Sequence, residues 1–434
     1  MRQASSRASV VPPKIRMRMS SPEKVAEARE TTRARWLSIV GIGEDGGDGL
    51  SAEARRLIAE AELVVGGARH LALAGALVSG ERLAWPSPLH DAFPKILARR
   101  GRKVVVLASG DPFNYGIGKQ LAGLVAAEDI LCLPHISAFS LAAARLGWAL
   151  EDATTVTLHG RALESIIRHL EPGARILALS WDGSTPAKVA ALLTARNQGQ
   201  SVLTVLEAMG GPRERIRRQT AAAFSLPGID ALNTLAVEVV GGAEGCFAGL
   251  APGLDDGLFE SDGLLTKREV RAVSLSALAP RRGELLWDIG LGAGSVAIEW
   301  LLRACSLRAI GIEERPERAE RARRNALALG APELEIVTGR APDALAGLPA
   351  PDAIFIGGGL TDAGVFEAAW AALKGGGRLA ANAVTLESEA RLYELFARHG
   401  GELVRLEVAR ADEVGSLHGW RRAMPVTQWR VRKP

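Results

Sequence analysis

Asp288 ends an apolar run, LLWDI, and Gly290, Gly292 and Gly294 follow at alternate positions before an amphipathic stretch. A strand that runs through glycines into a helix leaves unpaired backbone N–H groups at the positive end of the helix dipole. Glycine lets a ligand approach that backbone closely. The spacing is GxGxG, not the GxGxxG of dinucleotide sites. A carboxylate just ahead of the loop repels a pyrophosphate but suits the ammonium of a methionine moiety. The next apolar run, RAIGIEE, ends in Glu313, placed to bind both hydroxyls of an unphosphorylated ribose. Together these features favour S-adenosylmethionine over NAD. The chemistry is then displacement at a sulfonium, which needs donor and nucleophile held close and in line.

A second constellation lies in the first half. GIGEDG (41–46) supplies Gly41 and Gly43, and ASGDPFNYGIG (108–118) supplies Gly110, Asp111 and Pro112. Pro112 fixes one backbone angle and Gly110 permits close approach, so a sharp turn follows an apolar run. Asp111 alone would serve equally well as the cap of that turn.

These residues need a scaffold of alternating strands and helices. Strands are expected at 36–43, 103–112, 175–181, 201–210 and 232–240, with a helix then a short strand in 51–67 and a helix in 136–148. Residues 243–261, rich in Gly, Asp and Pro, read as a linker between domains at 36–242 and 262–434. A helix at 265–279 is then followed by strands at 284–289, 308–313, 334–338, 352–356 and 377–382. The fold class is α/β, with a mostly parallel sheet in the second half.

The net charge of +4 is carried by the first 35 residues, which hold nine Lys/Arg against three Asp/Glu. They read as a disordered basic tail. The rest is slightly acidic, and aromatic residues make up 5% of the chain, so nucleic acid is not an expected partner. No apolar run reaches the roughly 18 residues of a membrane span. Cys132, Cys246 and Cys305 are odd in number and far apart, which argues against a disulfide framework and fits a cytoplasmic protein. The seven histidines are scattered, and no metal is expected.

The segments GLLTKREVRAVSLSAL (263–278), WDIGLGAGSVAIEW (287–300), GIEERPERAERARRNALALG (311–330), TGRAPDAL (338–345), DAIFIGGG (352–359) and GGGRLAANAVTLES (375–388) resemble a family of cobalamin-pathway methyltransferases. That family methylates C15 of a precorrin and decarboxylates its C12 acetate. The resemblance implies a Rossmann-like class-I methyltransferase domain, with the donor held by Thr266, Gly290 to Gly294, Glu313 and Ala341. Arg340 stands where an acid is common in that family.

The first half, with LPHISAFSLAAARLGW (133–148), LHGR (158–161), EAMGGPRERI (207–216) and PGIDALNTLAVEVV (227–240) beside its glycine turns, is similar to the tetrapyrrole methylases, in their precorrin C5-methyltransferase branch. This implies a two-subdomain fold with a donor site formed by the 110–112 turn and the helix start at Ser137 and Ala138. His135 stands where a glycine is common. Both halves in this order resemble the fused precorrin C5,15-methyltransferases that also decarboxylate. The resemblance implies two S-adenosylmethionine sites on unrelated folds, a tetrapyrrole substrate and a homo-oligomer. The alternatives are a cobalt-bearing substrate or methylation of RNA.

A substrate with many carboxylates calls for basic and amide side chains. The candidates are His159, Arg161, Arg213 and Arg215 in the first half, and Asn382 and Thr385 at a strand end in the second. Arg378 is the weaker candidate there.

Overall fold

The computed structural model describes residues 35–241, 249 and 251–434. The tail at 1–34 and much of the expected linker lie outside the described residues. The chain divides into two compact units, the first ending at Ser137 and the second running from Ala138 to Pro434.

In the first unit, β1 (Leu37–Ile42), β2 (Leu63–Gly66), β3 (Glu81–Ala84), β4 (Val104–Ser109) and β5 (Ile130–Leu133) form one sheet in the order β3-β2-β4-β1-β5. Every pair is parallel. The helices are α1 (Ala52–Glu60), α2 (Ala68–Ala74), α3 (Phe93–Leu97) and α4 (Gly118–Ala122). Ser51 caps α1, its hydroxyl accepting from the Ala54 N–H at 3.2 Å. β1 and β4 are nearly continuous apolar runs, as a sheet covered on both faces requires.

The second unit opens with α5 (Ala138–Leu146). A mixed sheet follows, built from β6 (Ala153–Thr157), β7 (Arg175–Leu179), β8 (Val202–Glu207), β9 (Arg215–Thr220) and β10 (Asn233–Glu238), with α6 (Thr185–Ala195). Its order is β6-β7-β10-β8-β9, parallel only between β6 and β7. β9, RIRRQT, was not expected, because its charge hides any apolar alternation.

The third sheet contains β11 (Leu285–Ile289), β12 (Arg308–Glu313), β13 (Glu335–Thr338), β14 (Ala353–Ile356), β15 (Arg378–Ala383), β16 (Glu402–Leu406) and β19 (Val426–Arg432). Its order is β13-β12-β11-β14-β15-β19-β16. The first five strands are parallel, and β19 and β16 add antiparallel at one side. The helices are α7 (Arg268–Leu278), α8 (Ser295–Leu302), α9 (Pro316–Ala328), α10 (Val365–Ala372) and α11 (Leu386–His399). β17 (Ala409–Val414) and β18 (Leu417–Arg422) form a hairpin that exposes Val414, Leu417 and Trp420. The expected strands between 284 and 383 are all present, whereas β16 to β19 were not foreseen.

The unit boundary falls inside the stretch expected to be one domain. Two arginines fasten 138–241 to the rest of the second unit. The Arg168 Nε donates to the Gly330 carbonyl at 2.7 Å, its guanidinium also pairs with Glu333, and Arg196 donates to the Ala328 carbonyl at 3.0 Å. These carbonyls cluster at the C-terminal end of α9, where cations are favoured.

The second half also begins earlier than expected. Leu254 and Phe259 are buried in its core beside Leu275 and Trp300. Arg271 and Glu299 form an ion pair with both side chains fully buried. Glu299 accepts from the Gly253 and Leu254 N–H groups at 2.7 and 2.8 Å, while Arg271 donates to Asp256 and to the Leu254 and Thr266 carbonyls. The 253–256 segment is thus built into the domain. Removing one partner of such a pair strands a buried charge and costs about 3–5 kcal/mol. Arg271→Met is expected to lower the thermal midpoint of the C-terminal half by roughly 6–20 °C. An unchanged midpoint in calorimetry would show that the pair does not hold the segment.

Candidate functional site

At the C-terminal edge of the parallel strands of the third sheet lies a cavity of about 790 Å³. This is where open α/β sheets bind ligands. Thr266, Asp288, Gly290, Gly292, Glu313, Ala341 and Asn382 all line it. Sequence reasoning therefore named residues that the fold brings to one place from five separate segments. Gly294 stands just behind, as the N-cap of α8 with φ of 79°.

Two carboxylates hold the loop in shape. The Glu313 side chain accepts from the Gly292 N–H at 2.8 Å with one oxygen and from the Arg315 N–H at 3.1 Å with the other. Each oxygen keeps a lone pair for a further donor. Asp288 is buried and accepts from the Ala297 N–H, in the first turn of α8, at 3.0 Å. Gly290 is required by the backbone: with φ of 75°, a Cβ there would stand 2.7 Å from the Gly358 nitrogen. Two glycine turns, one after β11 and one after β14, thus pass against each other.

Several lining residues were missed. Lys267 and Arg315 bring positive charge, Arg410 lies there paired with Glu269 at 2.5 Å, and Leu264, Val384 and Met424 bring exposed apolar surface. Arg340 lines the cavity and pairs with Asp362 at 3.2 Å. Arg410 lies on β17 and Met424 on the connection from β18 to β19, a C-terminal region whose strands were not foreseen.

Thr385 needs correction. It is the N-cap of α11, its hydroxyl accepting from the Ser388 N–H at 3.2 Å and bonded to the Ser388 hydroxyl at 3.1 Å. Its side chain closes a helix end. Arg378 is buried, donating to the Leu278 carbonyl and pairing with Glu284.

In the first unit, Gly41 and Gly110 pass so closely that a Cβ on Gly41 would stand 1.9 Å from the Gly110 oxygen. Gly110 bonds back to the Ile42 carbonyl at 3.2 Å, so the two turns are stitched together. The Asp111 carboxylate accepts from the Phe113 N–H at 2.9 Å, capping the turn, and Pro112 offers its carbonyl to Gly118 at 2.8 Å. The His135 ring packs against Gly43 and lies 3.3 Å from Asp45. A further cluster went unnoticed in the sequence. Arg69 pairs with Glu44 and donates to the Ser109 hydroxyl at 2.7 Å, and His70 Nε2 lies 2.8 Å from the same hydroxyl. Burial, with Arg69 beside it, pulls the His70 pKa down to about 4. Its Nδ1 accepts from the Gly67 N–H at 3.3 Å, and the Arg69 guanidinium lies 3.0 Å from its Nε2. Ser137 closes the first unit.

In the second unit, Ala138 opens α5. His159 packs its ring on Trp181, with centroids 5.5 Å apart, and Arg161 is exposed. Arg213 and Arg215 need correction as substrate ligands: Arg213 pairs with Asp230, and Arg215 pairs with the buried Glu207 at 2.7 Å. The Glu207–Arg215 pair spans the ladder between β8 and β9 and lies within the segment 207–216 itself.

Among the described residues, no group of three or more His, Cys, Asp or Glu side chains is placed to hold a metal ion. No helix among them is long and apolar enough to cross a membrane.

Burial pushes the Asp288 carboxyl up from 3.8 to about 7, with Glu313 adding to the rise against the bond from Ala297. The folded state therefore keeps a proton that the unfolded chain loses near 3.8. This contribution to stability is present at low pH and is lost as pH rises to about 7. Asp288→Asn keeps an acceptor for the Ala297 N–H and does not titrate. Its melting temperature is expected to fall less than that of the unmodified protein between about pH 5 and about pH 8. Equal falls in both proteins would remove Asp288 as the source.

Residues 257–433 match the family described as precorrin methyltransferase domain, and residues 37–224 match the tetrapyrrole (corrin/porphyrin) methylases. A Sinorhizobium protein named precorrin-6Y C(5,15)-methyltransferase [decarboxylating] is 57% identical over 394 residues, covering 91% of this chain and 95% of the relative. A Mycobacterium tuberculosis protein of the same name is 40% identical over 400 residues, covering 92% and 100%. The crystal structure of the C-terminal domain of precorrin-6Y C5,15-methyltransferase from Rhodobacter capsulatus is 47% identical, covering 43% of this chain and all of that one, with a TM-score of 0.41. With a glycine-loop cavity in its second half and both family matches in sequence order, the chain belongs to the precorrin-6Y C5,15-methyltransferase (decarboxylating) family.

Proposed function

We propose that the chain methylates C5 and C15 of metal-free precorrin-6B and removes the C12 acetate carboxyl as CO2, giving precorrin-8. The first half, 36–242, acts at C5. The second, 262–434, acts at C15 and decarboxylates. Each half holds one S-adenosylmethionine. The observation that carries the reading is the second-half cavity, where a glycine loop, Glu313 and Asn382 meet at the strand ends. Both full-length relatives carry the C5,15 name without cobalt in it, which supports the metal-free substrate.

When bound, S-adenosylmethionine supplies an electrophilic methyl group on a sulfonium. The chain's residues fit that donor. Thr266 and Ala341 line the cavity with the loop, Glu313 offers its spare lone pairs to ribose hydroxyls, and Asp288 suits the ammonium once its proton has left. The substrate's meso carbon is enamine-like and needs no base to become a nucleophile. Its electron pair would form the new C–C bond as the S–CH3 bond breaks and that pair leaves on sulfur, giving a neutral thioether and an iminium in the macrocycle. That cation then takes the electron pair of the C–CO2 bond, so the substrate carries its own electron sink. The work left to the protein is positioning. Lys267 and Arg315 at the cavity suit the substrate's carboxylates, and Leu264, Val384 and Met424 suit its ring face.

In the first half the donor residues are Gly41, Gly43, Gly110, Asp111, Pro112 and Ser137, with Ala138, and His159 and Arg161 act on the substrate. The enzyme works in the cytoplasm as a homo-oligomer. The hairpin's exposed Val414, Leu417 and Trp420 support the latter.

Gly292→Arg tests the division of labour. A Cβ at Gly292 meets nothing closer than 3.8 Å, so the long side chain enters the cavity rather than the core. Mass spectrometry with S-adenosylmethionine and precorrin-6B should show two methyl groups gained and CO2 lost with the unmodified enzyme. The variant should add a methyl group at C5 at most and lose no CO2. No mass change with the unmodified enzyme, although donor binds, would overturn the metal-free assignment.

A further inference from the structure

Asn382 on β15 pairs directly across the ladder with Gln428 on β19. Gln428 is completely buried, as is Ser274 on α7. Three side chains from elements far apart in sequence thus meet behind a residue that lines the cavity.

Hydrogen-bond logic fixes every orientation in the cluster. Arg430 has only donors, so the group facing its Nε at 2.7 Å must be the Gln428 carbonyl oxygen. The Gln428 amide nitrogen then faces the other way and donates to the Asn382 Oδ1 at 2.8 Å and to the Ser274 hydroxyl at 2.9 Å. Ser274 spends its own proton on the Val270 carbonyl at 2.8 Å, so towards the amides it can only accept. It takes a second bond from the Asn382 Nδ2 at 3.1 Å. The Asn382 amide cannot flip without setting donor against donor. It is left with one uncommitted N–H at the cavity.

We propose that Gln428 is a positioning residue that fixes the Asn382 amide so that its free N–H binds a carboxylate oxygen of the macrocycle in the second-half cavity. This rests on the reading of that cavity as the C15 site. Gln428 acts wholly through Asn382, and the direction of the clamp is set by Arg430.

The test is a double-mutant cycle in the full-length enzyme, read as kcat and KM for the tetrapyrrole in C15 methylation and decarboxylation. Calorimetric donor binding and C5 methylation serve as controls. Asn382→Ala is expected to raise KM by about tenfold, the scale of one lost hydrogen bond to a charged group. Gln428→Met should raise it by several-fold. The double variant should match Asn382→Ala to within about twofold, because a residue acting through another adds nothing once that other is gone. Gln428→Glu gives an independent check. It keeps the size and the partner for Arg430, while the two bonds that the buried amide donates are lost, so the melting temperature falls and KM is read below the variant's midpoint. It offers only acceptors, which forces the Asn382 amide round, and KM should rise as far as in Asn382→Ala. Should Asn382→Ala leave KM unchanged, the Asn382 reading fails and the proposal with it. Should it raise KM while the double variant shows the product of the two single effects, Gln428 is merely structural and the proposal alone is overturned. A wild-type KM in Gln428→Glu would overturn it equally.

Discussion

The buried pair between Arg271 and Glu299 is the constraint on which the second half depends. An ion pair wholly out of water is tolerable only if its remaining donors and acceptors are met. Here they are met by backbone: two N–H groups reach Glu299 and two carbonyls reach Arg271. Those backbone groups belong to the segment entering the domain and to Thr266 at the cavity wall. Glu299 itself sits on α8, the helix that the glycine loop opens. One electrostatic requirement therefore ties together the entry segment, the wall and the helix behind the loop.

Much of this site was legible because it is local. Asp288, the three glycines and Glu313 sit at the ends of adjacent strands, and strand ends can be read from where an apolar run stops. Asn382 was found the same way. What could not be read was which side chains the fold would set beside one another. Arg215 and Arg213 looked like free cations until the fold set Glu207 and Asp230 beside them. Thr385 looked like a ligand because it follows a strand end, but a threonine ahead of LESE is also a helix cap, and that local bond prevailed. The C-terminal strands were hidden by charge. β17 and β18 carry polar residues on both faces, so no alternation marks them. Gln428 went unseen for the same reason: a glutamine in a charged stretch gives no sign that it will be buried.

The two halves meet a similar demand with different backbones. In the first unit, a glycine turn after β1 is pressed against the turn after β4 by a bond between backbones. In the second half, the loop after β11 is pressed against the turn after β14, and a carboxylate from β12 braces it. Both solutions depend on a pair of glycine turns that touch, and in both the absence of a side chain lets backbone approach backbone. A glycine in such a loop is therefore not by itself a ligand contact.

The arginine contacts between 138–241 and the second-half helices have a further consequence. Arg168 and Arg196 grip backbone carbonyls at Gly330 and Ala328, and carbonyls are present whatever the side chains are. The receiving surface is thus nearly silent in sequence. Its one strict demand is at residue 330, where φ is 80° and a Cβ would stand 2.7 Å from the Arg168 nitrogen. α9 can accumulate substitutions over generations without loosening the joint, so long as that glycine and the two arginines persist. The seam between the modules is inherited as a shape of the main chain, and a comparison that looks only for matching side chains would pass over it.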